Sequence, residues 1–192
     1  MFFQALQQQN IALLVNLTPL QEGSRKKADQ YWPDDSAAVQ VGDGWQVTLK
    51  REEDVAKPLP TGTDEAQSLW RLKRRQLQLQ HSPTGTQHDL VQLHFTSWPD
   101  HSTSTAAFYE HLLRLIETEA NAASLASPRP IWLHCSAGVG RTGTAIAGLM
   151  ALDLQRAGII SSATRQQEKA ERLTVQIIQH MRKSRPSMVQ GK

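Results

Sequence analysis

The spacing of hydrophobic positions changes along this chain, and the changes mark out its elements. Phe2 to Gln9 reads as a short helix, and the nearly continuous apolar run Ile11 to Leu17 reads as a buried strand. After a turn at Gly42 to Gly44, Trp45, Val47 and Leu49 alternate with polar residues, as a strand with one buried face requires. Leu69 to Leu79 and Leu90 to Phe95 are further strands. In them Leu77 and Leu79, then Val91, Leu93 and Phe95, project to one face, and the intervening HSPTGTQH is turn chemistry. From Thr105 the period becomes helical, with Phe108, Leu112, Leu115 and Ile116 on one stripe. A loop over Ala122 to Pro130 leads to a short apolar strand, Ile131 to Leu133, ending at His134. A helix from Thr142 to Ala157 is stopped by Gly158. A last helix from about Thr164 carries Leu173, Val175, Ile177, Ile178 and Met181 before Pro186. Strands interspersed with helices predict an α/β or α+β sheet protein without internal repeats.

Composition narrows this only a little. With 192 residues, 39% of them hydrophobic, the chain has the size and core of a single domain over residues 1–192. Lysine and arginine number 21 against 18 acids, and the net charge of +3 is a mild bias toward anionic ligands. The densest basic cluster, Arg71, Lys73, Arg74 and Arg75, lacks the aromatic interleaving of a nucleic-acid surface and reads as solvated side chains. Cys135 is the one cysteine, which excludes an internal disulfide and a multi-cysteine zinc site and points to a reducing, cytoplasmic location. No histidine pair has metal-ligand spacing, the opening residues lack the basic start of a secretory signal, and no apolar run approaches the ~18 residues of a membrane span.

The stretch HCSAGVGRTG, residues 134 to 143, carries the chemistry. Gly138 to Gly143 spell G-x-G-x-x-G, but a dinucleotide site also needs an acid about 20 residues on, and Gly158 to Thr164 contains none. A P-loop needs a lysine after its second glycine, where Thr144 stands. Counted from Cys135, the spacing makes sense: Ser136, Ala137, Gly138, Val139 and Gly140 separate it from Arg141. Small residues let the backbone curl so that its N–H groups face inward, and a helix beginning near Arg141 adds its positive end. An anion fits that cup, a thiolate is stabilised by the same field, and the arginine fork can grip two phosphate oxygens.

With these residues in hand the chain resembles the tyrosine-specific protein tyrosine phosphatases. QYWP (Gln30 to Pro33), WPDH (Trp98 to His101) and MRKSRPSMVQ (Met181 to Gln190) resemble further segments of that family in the expected order. The resemblance implies a twisted mixed β-sheet flanked by helices, no metal or cofactor, and phosphotyrosine-containing proteins or peptides as partners. It implies that Cys135 attacks phosphorus to form a phosphocysteine and that Arg141 binds the phosphate oxygens. On the same resemblance, Asp100 would protonate the leaving phenolate and then activate the hydrolytic water. The resemblance further implies that His134 orients the loop, that Thr142 steadies the departing thiolate and that Gln190 positions the water. The resemblance makes WPDH the mobile loop of the acid, with Trp98 as a supporting residue; Glu22 aligns with the acid that orients the loop arginine, and Lys27 aligns with a lysine that meets the closed acid loop.

Some positions depart from the family pattern. The usual Gly-Val-Pro after WPDH is Ser102, Thr103 and Ser104, and Gly191 replaces a threonine after Gln190. Neither the N-terminal segment that carries the family's phosphotyrosine-recognition loop nor its C-terminal helix has a counterpart here, so the chain is expected to be a catalytic domain truncated at both ends. Two alternatives stay open beside the phosphotyrosine hydrolase: a phosphotyrosine-binding remnant with little or no activity, and a cysteine phosphatase acting on other phosphoesters.

Overall fold

The computed structural model describes residues 1–55, 57–58, 69–98, 106–123, 129–159 and 167–190. Asp100, Ser102, Thr103, Ser104 and Gly191 lie outside them, as do the helix start expected at Thr105 and at Thr164. The chain forms two compact units, Met1–Leu133 and His134–Lys192.

The first unit is built on a six-stranded mixed sheet. Helix α1 (Phe2–Gln8) leads into β1 (Leu13–Asn16), and two short strands, β2 (Gln21–Glu22) and β3 (Arg25–Lys26), form a hairpin of their own. Then come β4 (Val39–Gln40), β5 (Trp45–Asp54), the small ladder β6 (Lys57–Pro58) with β7 (Leu69–Trp70), and the long hairpin β8 (Leu72–His81) with β9 (Thr86–Phe95). Helix α2 (Ala106–Ala123) and strand β10 (Ile131–His134) complete the series. The order in the sheet is β10-β1-β9-β8-β5-β4, with β1 parallel to β9 and the pairs β9–β8, β8–β5 and β5–β4 antiparallel.

Position in the sheet explains the burial patterns. β1 lies between two strands, and its four residues are all buried. Leu14 packs with Phe3, Leu6, Trp45, Val47, Leu77 and Leu79 in one cluster, so Leu13 and Val15, alternating with it, face the other side, where α2 lies. There Phe95 meets Phe108 with ring centroids 5.1 Å apart. Each such side chain contributes about 1.5–3 kcal/mol when fully buried. The alternation expected along β9 gives way at its end: Gln92, Leu93, His94 and Phe95 are all buried, because β9 has a neighbour on each edge and both of its faces are covered.

One reading of the sequence is corrected here. Arg75 is not a solvated charge but 4% exposed. The ladder sets it opposite Glu52 on one side and Gln92 on the other. Its guanidinium donates to Glu52 at 2.6 Å and to Gln92 at 3.0 Å, and lies 4.6 Å from the centre of the Trp32 ring. A further contact runs to His94 Nδ1 at 3.3 Å, while His94 Nε2 meets the Thr18 carbonyl at 2.9 Å. Since the guanidinium can only donate, Nδ1 accepts and the hydrogen sits on Nε2.

The second unit pairs α3 (Gly140–Arg156) with α4 (Gln167–Ser184). Ile177, Met181 and Met188 are buried against Val139, Ile146, Met150 and Leu154. Gly158, at φ +70°, ends α3 as expected. Val175, expected in the apolar stripe of the last helix, is instead exposed. Among the described residues no helix is long and apolar enough to cross a membrane.

Candidate active site

The loop from Cys135 to Gly140 joins the end of β10 to the first turn of α3. Gly138 adopts φ +69°, a left-handed conformation that residues with a Cβ rarely take, and the turn aims its amide at the cysteine. The Gly138 N–H donates to Cys135 Sγ at 3.2 Å. Helix α3 opens without a side-chain cap, since its N-cap is Val139, and its first turn carries no acid. The amides at this end and the positive end of the helix dipole are therefore directed into the loop without a competing carboxylate of their own.

Arg141 and Thr142, in that first turn, are buried. Thr142 Oγ1 has no hydrogen-bond partner among the described residues. A buried hydroxyl left so costs about 1–3 kcal/mol, a cost that an anionic sulfur or oxygen arriving in the loop would relieve. His134 precedes the cysteine, and its Nδ1 meets the Cys135 carbonyl at 3.4 Å. Burial pushes the His134 imidazole below its ordinary value against the opposing pull of that contact, and because a carbonyl only accepts, Nδ1 carries the hydrogen.

The segment after α4 braces this loop from behind. The Val189 amide donates to the Val139 carbonyl at 3.0 Å, and Arg182 Nε donates to the Met188 carbonyl at 2.9 Å. Val189 sits at φ +59°, which is strained for a β-branched residue and is held by these bonds. A Cβ at Gly140 would lie 3.1 Å from the Gln190 carbonyl, so Gln190 is brought beside the first residue of α3. Arg185 Nη2 donates to the Ala137 carbonyl at 3.0 Å.

The sequence-derived residues thus divide between the two units. His134, Cys135, Arg141, Thr142 and Gln190 gather around one loop, with Ser136 to Gly140 as its backbone. Glu22 and Lys27 belong to the first unit, where they form a half-buried ion pair at 3.3 Å across the β2–β3 hairpin. Trp98 is buried there too, edge-on to Tyr109 of α2 with centroids 6.3 Å apart. Asp100, two residues on, is outside the described residues. Sequence reasoning missed Arg182 and Arg185, although both lie in MRKSRPSMVQ. Their spacing of three at a helix end, just before a non-helical run, was the available signal.

A thiol with an amide donor at its sulfur, a buried arginine in the first turn of the helix that follows and the positive end of that helix can hold a tetrahedral oxyanion against a nucleophile. Comparison with known proteins agrees with that chemistry. The protein-tyrosine phosphatase family model matches residues 1–192. The chain is 34% identical over 163 residues to tyrosine-protein phosphatase 99A of Drosophila melanogaster, a match covering 83% of this chain and 11% of that protein. Against human tyrosine-protein phosphatase non-receptor type 7 it is 33% identical over 147 residues, 76% of this chain and 35% of the other. The chain therefore spans about a tenth to a third of these curated relatives. Among solved structures, a protein tyrosine phosphatase of Trypanosoma brucei superposes with a TM-score of 0.71 at 31% identity, covering 98% of this chain and 59% of that one. The catalytic domain of human protein tyrosine phosphatase non-receptor type 18 gives 0.75 at 23% identity, with 98% and 58% covered, and speaks for the fold alone. A family match along its whole length, and a fold shared with solved members, show that the chain belongs to the protein-tyrosine phosphatase family.

Proposed function

We propose that this chain is a single catalytic domain that hydrolyses phosphotyrosine in proteins through a phosphocysteine. The Cys135 thiolate attacks phosphorus as the bond to the tyrosine oxygen breaks, and Asp100 delivers its proton to that oxygen, so tyrosine departs neutral. Arg141 and the amides of Ser136 to Gly140 hold the equatorial phosphoryl oxygens, where negative charge accumulates. In the second step the Asp100 carboxylate takes a proton from water held by Gln190. The water oxygen bonds to phosphorus, the S–P bond breaks, and Thr142 donates to the departing thiolate. Inorganic phosphate is released and both catalytic groups return to their starting protonation. His134 fixes the cysteine backbone, and Trp98 anchors the segment that carries the acid.

The observation that carries this reading is the Gly138 amide 3.2 Å from Cys135 Sγ at the uncapped start of α3. That geometry supports a nucleophile's sulfur facing an anion site. Hydrolysis of a small aryl phosphate in the presence of a metal chelator tests it. The intact chain turns the ester over and Cys135→Ser does not; turnover that survives the substitution would sink the proposal.

A further inference from the structure

The Ala137 carbonyl and the Gly138 amide are the two ends of one peptide unit. Arg185 Nη2 donates to its oxygen at 3.0 Å, and its N–H donates to Cys135 Sγ at 3.2 Å. The described peptide bonds are all trans, so the oxygen and hydrogen of this unit point in opposite directions. Holding the oxygen on the outside therefore aims the hydrogen at the nucleophile.

From this geometry we infer that Arg185 is a positioning residue of the phosphate loop: it locks the Ala137–Gly138 peptide with its amide toward Cys135 and the incoming anion. The inference rests on the phosphatase reading and adds to it a residue outside the loop. Without the lock, rotation of this peptide would turn a carbonyl oxygen toward the site, replacing a donor by a repulsive dipole where the phosphoryl oxygens bind. Glycine at 138 makes such rotation easy, because both hands of φ are open to it. A cationic donor on the oxygen also draws electron density from the peptide and makes its N–H a stronger donor.

Surrounding details fit a dedicated contact. The Arg185 backbone is fixed by its amide bond to the Met181 carbonyl at 2.9 Å, and Met181 is buried in the core of this unit. No carboxylate among the described residues pairs with the guanidinium. A Cβ at Gly138 would lie 3.1 Å from Nη2 and 3.4 Å from Cζ, so the side chain rests flat against the glycine. Glycine suits 138 on both counts: a side chain at φ +69° is strained, and a Cβ there would press on the Arg185 guanidinium.

The test uses the intact chain, Arg185→Met and Arg185→Lys, with melting temperature, aryl phosphate kinetics and inhibition by orthovanadate measured for each. Arg185→Met is expected to melt like the parent, to bind vanadate about tenfold more weakly, the scale of one lost charge-assisted hydrogen bond, and to raise KM in step. Millimolar guanidinium restores part of that loss, and Arg185→Lys keeps vanadate affinity within about threefold of the parent because an ammonium can reach the same oxygen. Vanadate affinity unchanged in Arg185→Met, or a loss that neither lysine nor guanidinium repairs, overturns the inference. Should Arg185→Met not fold, Arg185→Lys alone decides: vanadate affinity as weak as tenfold below the parent in a folded protein counts against it. An inactive, vanadate-blind parent would instead defeat the phosphatase reading itself.

Discussion

Val189 donates its amide to the same Val139 carbonyl that receives the Gly143 amide, at 3.0 and 3.1 Å. One oxygen thus ties the segment leading to Gln190 to the first turn of α3, and the two backbones run close enough that residue 143 can carry no side chain. A Cβ there would overlap the Val189 amide nitrogen and lie 3.2 Å from the Met188 carbonyl carbon. Alanine in a helix interior is worth about 1 kcal/mol over glycine, while forcing an atom into packed backbone costs typically 1–3 kcal/mol. The obstacle here is main chain, which yields less than a side-chain tip, so the cost wins. Gly143→Ala is expected to lower the melting temperature by several degrees and to reduce kcat at least tenfold by displacing Gln190. Parent-like values of both would show that the two segments are not coupled.

Arg75 holds together a polar cluster inside the first unit. Glu52 feels burial first, which disfavours its charge, but hydrogen bonds and positive charge from Lys73 and Arg75 outweigh this and keep its carboxyl below the usual carboxylate range. Arg75→Met removes the shared donor and leaves Gln92 and His94 facing an apolar side chain. The expected loss is about 3 kcal/mol, the low end for breaking a buried pair, since Glu52 keeps access to water. Urea unfolding measures it, and a loss under about 1 kcal/mol would mean that the cluster contributes little.

Acid should loosen the fold through histidine before carboxylates titrate. Burial, with the nearby charge of Arg129, pushes His88 below its ordinary 6.5, against its 2.7 Å bond to the Ile11 carbonyl and the charge of Asp89. A group whose folded pKa is depressed binds fewer protons folded than unfolded. Its contribution to stability is complete above 6.5 and is lost as pH falls below that value. The His134 imidazole has the same sign. Unfolding free energy should therefore drop between pH 7.5 and 5.5, and less steeply in His88→Gln; an identical pH dependence in the variant argues against His88 as a source.

The assignment of Asp100 predicts a division between rate and affinity. Asp100→Ala is expected to lower kcat by roughly 10²–10⁴, the range of general acid–base catalysis, while phosphopeptide binding stays within a few-fold of the parent. Binding that falls in parallel with rate would remove Asp100 from the role of proton donor.

How much of this was readable from residues alone follows their range of interaction. The buried run of β1, the β8–β9 hairpin and the stop of α3 at Gly158 depend on neighbours in sequence, and local pattern reports them. The β2–β3 hairpin is two residues deep and mostly exposed, so it has no alternation to read. Arg75 looked like one charge in a basic run because its partners Glu52 and Gln92 lie 23 and 17 residues away and meet it only through strand register. Cys135 and Arg141 stand out in the sequence because an anion-cradling loop ties their spacing, while Thr142 is singled out only by the family resemblance. Arg185 does not stand out, because its target is a backbone carbonyl 48 residues earlier, and a carbonyl leaves no mark in a sequence.

The central claim is that Cys135 carries the phosphoryl group. The direct measurement is acid quenching during turnover of a phosphotyrosine peptide, followed by mass spectrometry of the fragment that contains residue 135. The account predicts a phosphate adduct on Cys135 that accumulates in Gln190→Ala, where water attack is slowed, and that is absent from Cys135→Ser. Steady turnover with no adduct at Cys135 in either the parent or Gln190→Ala would contradict it.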